Sequence, residues 1–289
     1  MIEWRPGASV DALRARAAAT ACMRAFFAER DILEVQTPLL GVATVTDPDV
    51  EAITVPGYGF LQTSPEYFLK RLLAAGLPSC YQLAPAFRHD EQGRLHNPEF
   101  LMLEWYRLDF DADTLMQEVA ALCDRVLGEA EYQTVTYLDL VGADFVGESP
   151  GAVLDQPRGD LDLKFAEACE ALKPGRFFIV DYPAEQAALA RLRPDDPRWA
   201  ARFELVIDGV EIANGYWELQ DVQEHERRFE EDLRIRQGRG LPVHAVDGAF
   251  MAALACGLPD CAGVALGVDR LVMLQQGATS LDDVLSFRR

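Results

Sequence analysis

Hydrophobic and polar positions alternate along the chain with two periods, and the switches between them mark the predicted elements. Val10, Leu13, Ala17, Thr20 and Phe27 fall on one stripe at steps of three, four or seven, which predicts a helix over 10–30. Asp31 leads into a short extended run, Ile32 to Val35, stopped by Thr37-Pro38. Ser64-Pro65-Glu66 opens a helix over 65–75: serine caps, proline suits the first position and an acid suits the first turn. Segments 80–88 and 99–107 read as strands around a polar loop, 89–98. On the second, Phe100, Met102, Glu104 and Tyr106 share one face, while Leu101, Leu103 and Trp105 share the other. A helix follows over 112–127, and 128–175 is weakly patterned, with Gly147-Glu148-Ser149-Pro150-Gly151 marking a surface excursion. Phe177 to Val180 reads as a strand. Residues 202–219 form a hairpin around Asp208-Gly209, a strong turn signal. Helices over 222–236 and 247–256, a glycine-rich strand from Gly263 to Gly267 and a helix over 269–275 complete the pattern. Hairpin-linked strands predict an α+β fold, an antiparallel sheet flanked by helices, in a single domain over 1–289.

Composition narrows the function. The chain has 289 residues with 47 acidic against 27 basic side chains, a formal charge of −20. That charge disfavours a large nucleic-acid footprint, which needs lysine and arginine on phosphates, but permits a small phosphate ligand in an arginine-lined cleft. No run approaches the roughly 18 apolar residues of a membrane span, and the start has no signal-peptide core, so a cytoplasmic protein is expected. The six cysteines lack C-x2-C spacing and read as small thiols in a reducing compartment, and the four histidines are dispersed.

Three constellations carry candidate chemistry. The first is Phe87-Arg88-His89-Asp90-Glu91 with His96-Asn97-Pro98-Glu99-Phe100. Arg88 could be an ordinary surface arginine, but the continuation places Glu104 and Tyr106 on the neighbouring strand. A half-buried acid there requires a structural partner or a cationic ligand. The second constellation is Val210 to Leu219. Strict alternation points Glu211 and Glu218 to opposite faces, and a bulge at Asn214-Gly215 would reunite them. Two acids and an asparagine could then hold magnesium; alternatively both acids are exposed and the glycine only turns the chain. In the third, Gly263 to Leu274, Arg270 sits in the first turn of a helix, where the dipole disfavours a cation. Either an anion binds there, or Arg270 pairs with Asp269.

These segments, in this order, resemble motif 2, the acidic substrate segment and motif 3 of class II aminoacyl-tRNA synthetases, in their lysyl branch. Leu33 to Pro38 resembles motif 1, which belongs to a dimer interface in that family. Thr63-Ser64-Pro65-Glu66-Tyr67 and Leu258-Pro259-Asp260-Cys261, followed by residues 263–270, are most similar to the elongation factor P–(R)-β-lysine ligases, paralogues of lysyl-tRNA synthetase. Ala265 stands where true lysyl-tRNA synthetases usually carry glycine. Only about a dozen residues precede the motif 1 helix, so no anticodon-binding domain is expected.

The resemblance implies an ATP- and Mg2+-dependent ligase that activates (R)-β-lysine or lysine as an adenylate and transfers it to a lysine of elongation factor P. A homodimer is implied, with tRNA an unlikely partner and no membrane association. ATP would be bound by Arg88, His89, Asp90, Asn97, Glu211, Ile212, Gly267 and Arg270, of which Arg88 and Arg270 would be catalytic. The amino acid would meet Ser64, Pro65, Glu66, Tyr106, Glu218 and Ala265. Glu211 and Glu218 would hold the metal. Asp90 is a methylene shorter than the family's usual glutamate, a role Glu91 could take by a shift. The rival readings are a minimal enzyme charging tRNA and a non-catalytic amino-acid-binding paralogue. Arg234, Arg236 and Arg239 form a basic cluster for RNA or a protein, or else a solvated helix end.

Overall fold

The computed structural model describes residues 4–89, 92–142 and 158–288, with the side chains of 158–162 excepted. Its strands are β1 (Leu33–Glu34), β2 (Leu40–Gly41), β3 (Thr54–Val55), β4 (Gly59–Leu61), β5 (Cys80–Phe87), β6 (Glu99–Leu108) and β7 (Tyr132–Thr136). They continue as β8 (Arg176–Val180), β9 (Tyr182–Pro183), β10 (Trp199–Ala200), β11 (Arg202–Ile207), β12 (Val210–Trp217) and β13 (Cys261–Gly267). The helices are α1 (Val10–Ala28), α2 (Glu66–Ala74), α3 (Ala112–Leu127), α4 (Tyr137–Leu140), α5 (Arg158–Ala171), α6 (Val222–Gly238), α7 (Gly248–Cys256) and α8 (Val268–Gln275).

Eight strands form one sheet in the order β1-β5-β6-β13-β12-β11-β8-β7. Its centre is antiparallel as expected, but both edges depart from that: β1 pairs parallel with β5, and β7 parallel with β8. β7 lies in the stretch read as weakly patterned, where Tyr132–Thr136 extends the sheet instead of looping over the surface. The segment 147–151 lies outside the described residues.

The two faces of the sheet have different chemistry. Leu103 and Trp105 of β6, Phe203 and Leu205 of β11, and Val264 and Leu266 of β13 pack into the main core with α1, α3 and α8. Each such side chain, fully buried, stabilises the fold by roughly 1.5–3 kcal/mol. The helix α1 contributes Ala12, Ala19, Met23, Phe26 and Phe27 to burial. The expected stripe is therefore rotated, since Val10 and Ala17 are exposed. In so alanine-rich a helix the large residues at its C-terminal end decide the face, and small ones fit either side.

The opposite face carries the polar side chains. Register pairs Gln82 with Glu104, Glu104 with Ala265, Ala265 with Asn214, and Asn214 with Glu204, a row crossing five strands. The next row runs Cys80, Tyr106, Gly263, Tyr216, Arg202. At one end of these rows α2, α6 and α7 pack through Tyr67, Phe229 and Phe250, with Tyr67 stacked on Phe250 at 4.2 Å. Between them the chemistry is laid out.

Candidate active site

Ser64 shapes the start of α2: its hydroxyl accepts from Glu66 N at 3.0 Å and donates to Glu104 Oε2 at 2.7 Å. Tyr106 donates to the other oxygen of Glu104 at 2.9 Å. One turn along α2 stands Lys70, 0% exposed, its ammonium 2.6 Å from both Glu66 Oε1 and Glu218 Oε2. Glu66, Glu104, Glu218 and Tyr106 thus converge on one pocket with Lys70 at its wall. Burial pushes the Glu104 carboxyl up to about 8, with the Glu66 charge adding to the shift. Burial likewise pushes Glu218 up to about 7, against the opposing pull of Lys70. Gly263 forms the floor: a Cβ there would overlap the Tyr106 ring and come within 2.5 Å of Glu218 Oε1. Ala265, half-buried, lies between Glu104 and Asn214 in the cross-strand row. With all three carboxylates ionised against one ammonium, two negative charges remain, the complement of a ligand with two ammonium groups.

Further along the same face stand the arginines. Arg270 donates through NH1 to the Glu211 carbonyl at 2.9 Å and to Glu211 Oε2 at 3.2 Å, and its NH2 lies 2.8 Å from His96 Nε2. Its Nε donates to Leu95 O at 3.2 Å, so the loop between β5 and β6 is tied to α8. Asp269 does not pair with Arg270; it is held by Arg16 and by Leu101 N. Gly267, before α8, leaves the space beside Arg270 open, with nothing nearer than 3.7 Å to an added Cβ. Arg88 follows β5, its backbone N bonded to Pro98 O at 2.9 Å and its guanidinium 5.2 Å from the Phe100 ring centre. His89 N donates to Glu51 O at 2.8 Å, and buried Asn97 donates to Glu99 O at 2.7 Å.

Comparison with known proteins places the chain in a family. The family model "tRNA synthetases class II (D, K and N)" matches residues 1–289. The chain belongs to this family. The chain is also similar to the elongation factor P–(R)-β-lysine ligase of Vibrio vulnificus, 45% identical over 316 residues that span 99% of this chain and 98% of the relative. The ligases of that name from Salmonella paratyphi B and Salmonella enteritidis are each 45% identical over 314 residues, covering 98% of this chain and 97% of theirs.

Within this class II synthetase fold the structure relocates several expected features. The bulge of β12 is at Ile212, not at Asn214-Gly215: Leu205 faces Ala213 while Val206 faces Glu211, leaving Ile212 as the extra residue. Gly215 is instead regular ladder, needed because a side chain there would run into the Phe203 ring. The bulge does bring Glu211 and Glu218 to one face of the sheet, as a bulge was expected to do, but it does not bring them together, so the pair does not share a metal ion. They sit at opposite ends of β12, Glu211 on Arg270 and Glu218 on Lys70. What it does unite is Glu211 with Asn214 and, across the ladder, Glu204. Burial pushes Glu204 up to about 7, with Arg202 opposing and Glu211 adding. Asn214 Oδ1 is buried and accepts no hydrogen bond among the described residues. Ile212 places its side chain in the core, so only its backbone faces the site. Pro65 serves as the residue before α2, and Asp90 and Glu91 lie outside the described residues.

The basic cluster divides: Arg236 is internal, while Arg234 and Arg239 stay exposed at the helix end with acidic partners. Arg236, 1% exposed, binds Glu51 and the carbonyls of Pro242 and Asp47. Arg239 pairs with Asp49 at 2.6 Å, and Arg234 with Glu230 and Glu231. Sequence reasoning missed Lys70 and Glu204. Lys70, four residues after Glu66, reads as an ordinary exposed helix pair, and Glu204 is masked inside an apolar strand.

Proposed function

We propose that this chain is an ATP-dependent ligase that activates (R)-β-lysine as an aminoacyl-adenylate and transfers it to the ε-amine of a lysine on elongation factor P. The observation that carries the reading is the buried pocket of Glu66, Glu104 and Glu218 around Lys70, matched in charge to a diamino acid. The near full-length identity to ligases of that name supports the acceptor.

The carboxylate of the amino acid attacks the α-phosphorus of ATP in line; a C–O–P bond forms, the Pα–O–Pβ bond breaks, and pyrophosphate leaves. Such a reaction depends on positioning and charge neutralisation. Glu66, Glu104 and Glu218 hold the two ammonium groups, which fixes the carboxylate toward Arg88. Arg88 stabilises charge developing on the α-phosphate, and Arg270 clamps the far end of the polyphosphate with His96 beside it. The ε-amine of the acceptor lysine then attacks the mixed anhydride. An amide C–N bond forms, AMP leaves, and the amine proton passes to solvent. Glu211, Glu204 and Asn214 Oδ1, which accepts no hydrogen bond among the described residues, are the oxygen donors that would hold a magnesium ion, taking over carboxylates that Arg270 and Arg202 bind here. When bound, it neutralises phosphate charge.

A homodimer is part of the reading. β1 is an edge strand with Leu33 48% exposed, and Val10, Val42 and Tyr58 also present apolar surface. Transfer is tested by incubating the protein with ATP, (R)-β-lysine and elongation factor P, followed by mass spectrometry of the acceptor. One added lysyl unit on a single lysine is expected. Arg88→Ala is expected to lower adenylate formation on the order of 10²–10³-fold, by analogy with a lost oxyanion donor. Unchanged ATP–pyrophosphate exchange in that variant would remove Arg88 from its role.

A further inference from the structure

Glu218 depends on the chain around it. It follows the last residue of β12, where the ladder ends and a carboxylate could swing away from the pocket. Its amide bonds to Cys261 O at 3.0 Å, and its carbonyl accepts from Arg191 Nε at 2.9 Å. Arg191 comes from a separate segment that runs alongside as an added edge. Ala190 bridges Glu218, Arg191 N donates to Trp217 O at 2.9 Å, and Leu219 N donates to Leu189 O at 3.1 Å. The segment contains Ala188 at φ 48, a left-handed conformation unusual for alanine. Such strain persists only where the surroundings hold it. Here Arg228 does so, donating to Ala188 O at 2.6 Å and Ala190 O at 2.7 Å.

The Arg191 guanidinium is itself held from three sides. It lies 4.1 Å from the Trp217 ring centre, donates to Asp260 Oδ1 at 2.5 Å and reaches Gln220 Oε1 at 3.2 Å. Trp217 Nε1 donates to the same Asp260 oxygen at 3.0 Å. The latch therefore joins the end of β12, the approach to β13 and the 187–193 segment on the outer side of the pocket.

We propose that Arg191 is a positioning residue for the amino-acid pocket: seated between Trp217 and Asp260, it fixes the strand end that carries Glu218. The inference deepens the proposed ligase function and rests on it. Its charge also acts on Glu218, pulling the carboxyl toward the ionised form against burial. The other charged or titratable groups bearing on Glu218 are Lys70 and Glu66 from α2, Tyr106 from β6, and Cys261 of β13. Arg191 stands outside the pocket, on the opposite side of the strand end from Lys70's ion pair, so it tunes Glu218 without occupying the ligand's place.

The test is (R)-β-lysine-dependent ATP–pyrophosphate exchange between pH 6 and 9 for wild type, Arg191→Gln, Arg191→Lys and Asp260→Asn, with Glu218→Gln as reference. Arg191→Gln is expected to raise the KM for the amino acid roughly tenfold, in line with losing a charge-assisted hydrogen bond, with the KM for ATP unchanged. The pH at which the amino-acid KM begins to worsen moves upward in Arg191→Gln and returns toward wild type in Arg191→Lys. Asp260→Asn, which keeps the arginine but loosens its seat, shows a smaller KM effect of the same sign, so the inference stays testable if Arg191→Gln does not fold. An amino-acid KM and pH profile within twofold of wild type in Arg191→Gln would overturn the inference. So would equal rises in both KM values, the mark of general loosening. If wild type itself fails with every lysine isomer, the ligase reading fails; if wild type is active, Glu218→Gln is impaired and Arg191→Gln is normal, only the latch fails.

Discussion

Lys70 and the three carboxylates around it set the pH behaviour of the site. An ammonium pairs only with an ionised carboxylate, and in the ligand-free pocket Glu218 and Glu104 are pushed up to about 7 and about 8 by burial. Both therefore hold protons part of the time near neutrality. A diammonium ligand must displace those protons, so binding releases them and affinity rises between pH 6 and pH 8. Titration calorimetry in buffers of different ionisation enthalpy measures this directly: net proton release is expected at pH 7, and uptake would contradict the assignment. The sign for stability is the reverse. With folded values above the ordinary 4.5, the ligand-free protein loses this contribution as pH climbs from 4.5 through about 8, and a bound diamino acid restores it.

At the scale of elements, the local chemistry of each segment decided how legible it was. The bounds of α3 could be read because Asp111 caps it, accepting from Thr114 N at 2.8 Å, ahead of a regular apolar stripe. The β11–β12 hairpin could be read because Asp208 and Gly209 both adopt positive φ, which that dipeptide tolerates. The bulge was misplaced for a physical reason: Ile212 and Ala213 are consecutive apolar residues between Glu211 and Asn214, so alternation does not say which one is inserted, and the glycine drew attention to the wrong position. Lys70 escaped notice because its partners come from α2 and from the distant end of β12, a contact that only the folded sheet creates. Arg88, Arg270, Ser64, Glu66 and Tyr106 were legible because each sits at a strand end, a helix start or a facing strand position, which local pattern fixes. Gly215 gives a test at this scale. Gly215→Ala forces a methyl into the Phe203 ring and is expected to destabilise the fold by roughly 1–3 kcal/mol in urea denaturation. Full stability in that variant would mean the β11–β12 packing differs from that described.

For the whole molecule, the formal charge is −20, and within the basic cluster Arg236 is internal, tied to Glu51, while Arg234 and Arg239 pair with neighbouring acids at the surface. We propose that the apolar surface at Leu33 meets a second copy of the chain. In the proposed dimer, Leu33→Glu places a charge on that edge strand and is expected to shift light-scattering mass from dimer to monomer at micromolar concentration. A wild-type protein that is monomeric under the same conditions would remove the dimer from the account. The central claim is narrower: one buried pocket selects two ammonium groups and presents their carboxylate to ATP. It is tested most directly by ATP–pyrophosphate exchange with (R)-β-lysine, (S)-β-lysine, α-lysine and norleucine, which lacks the distal amine. The account predicts turnover with (R)-β-lysine above the other lysine isomers and none above background with norleucine. Exchange with norleucine as fast as with any lysine isomer would contradict it.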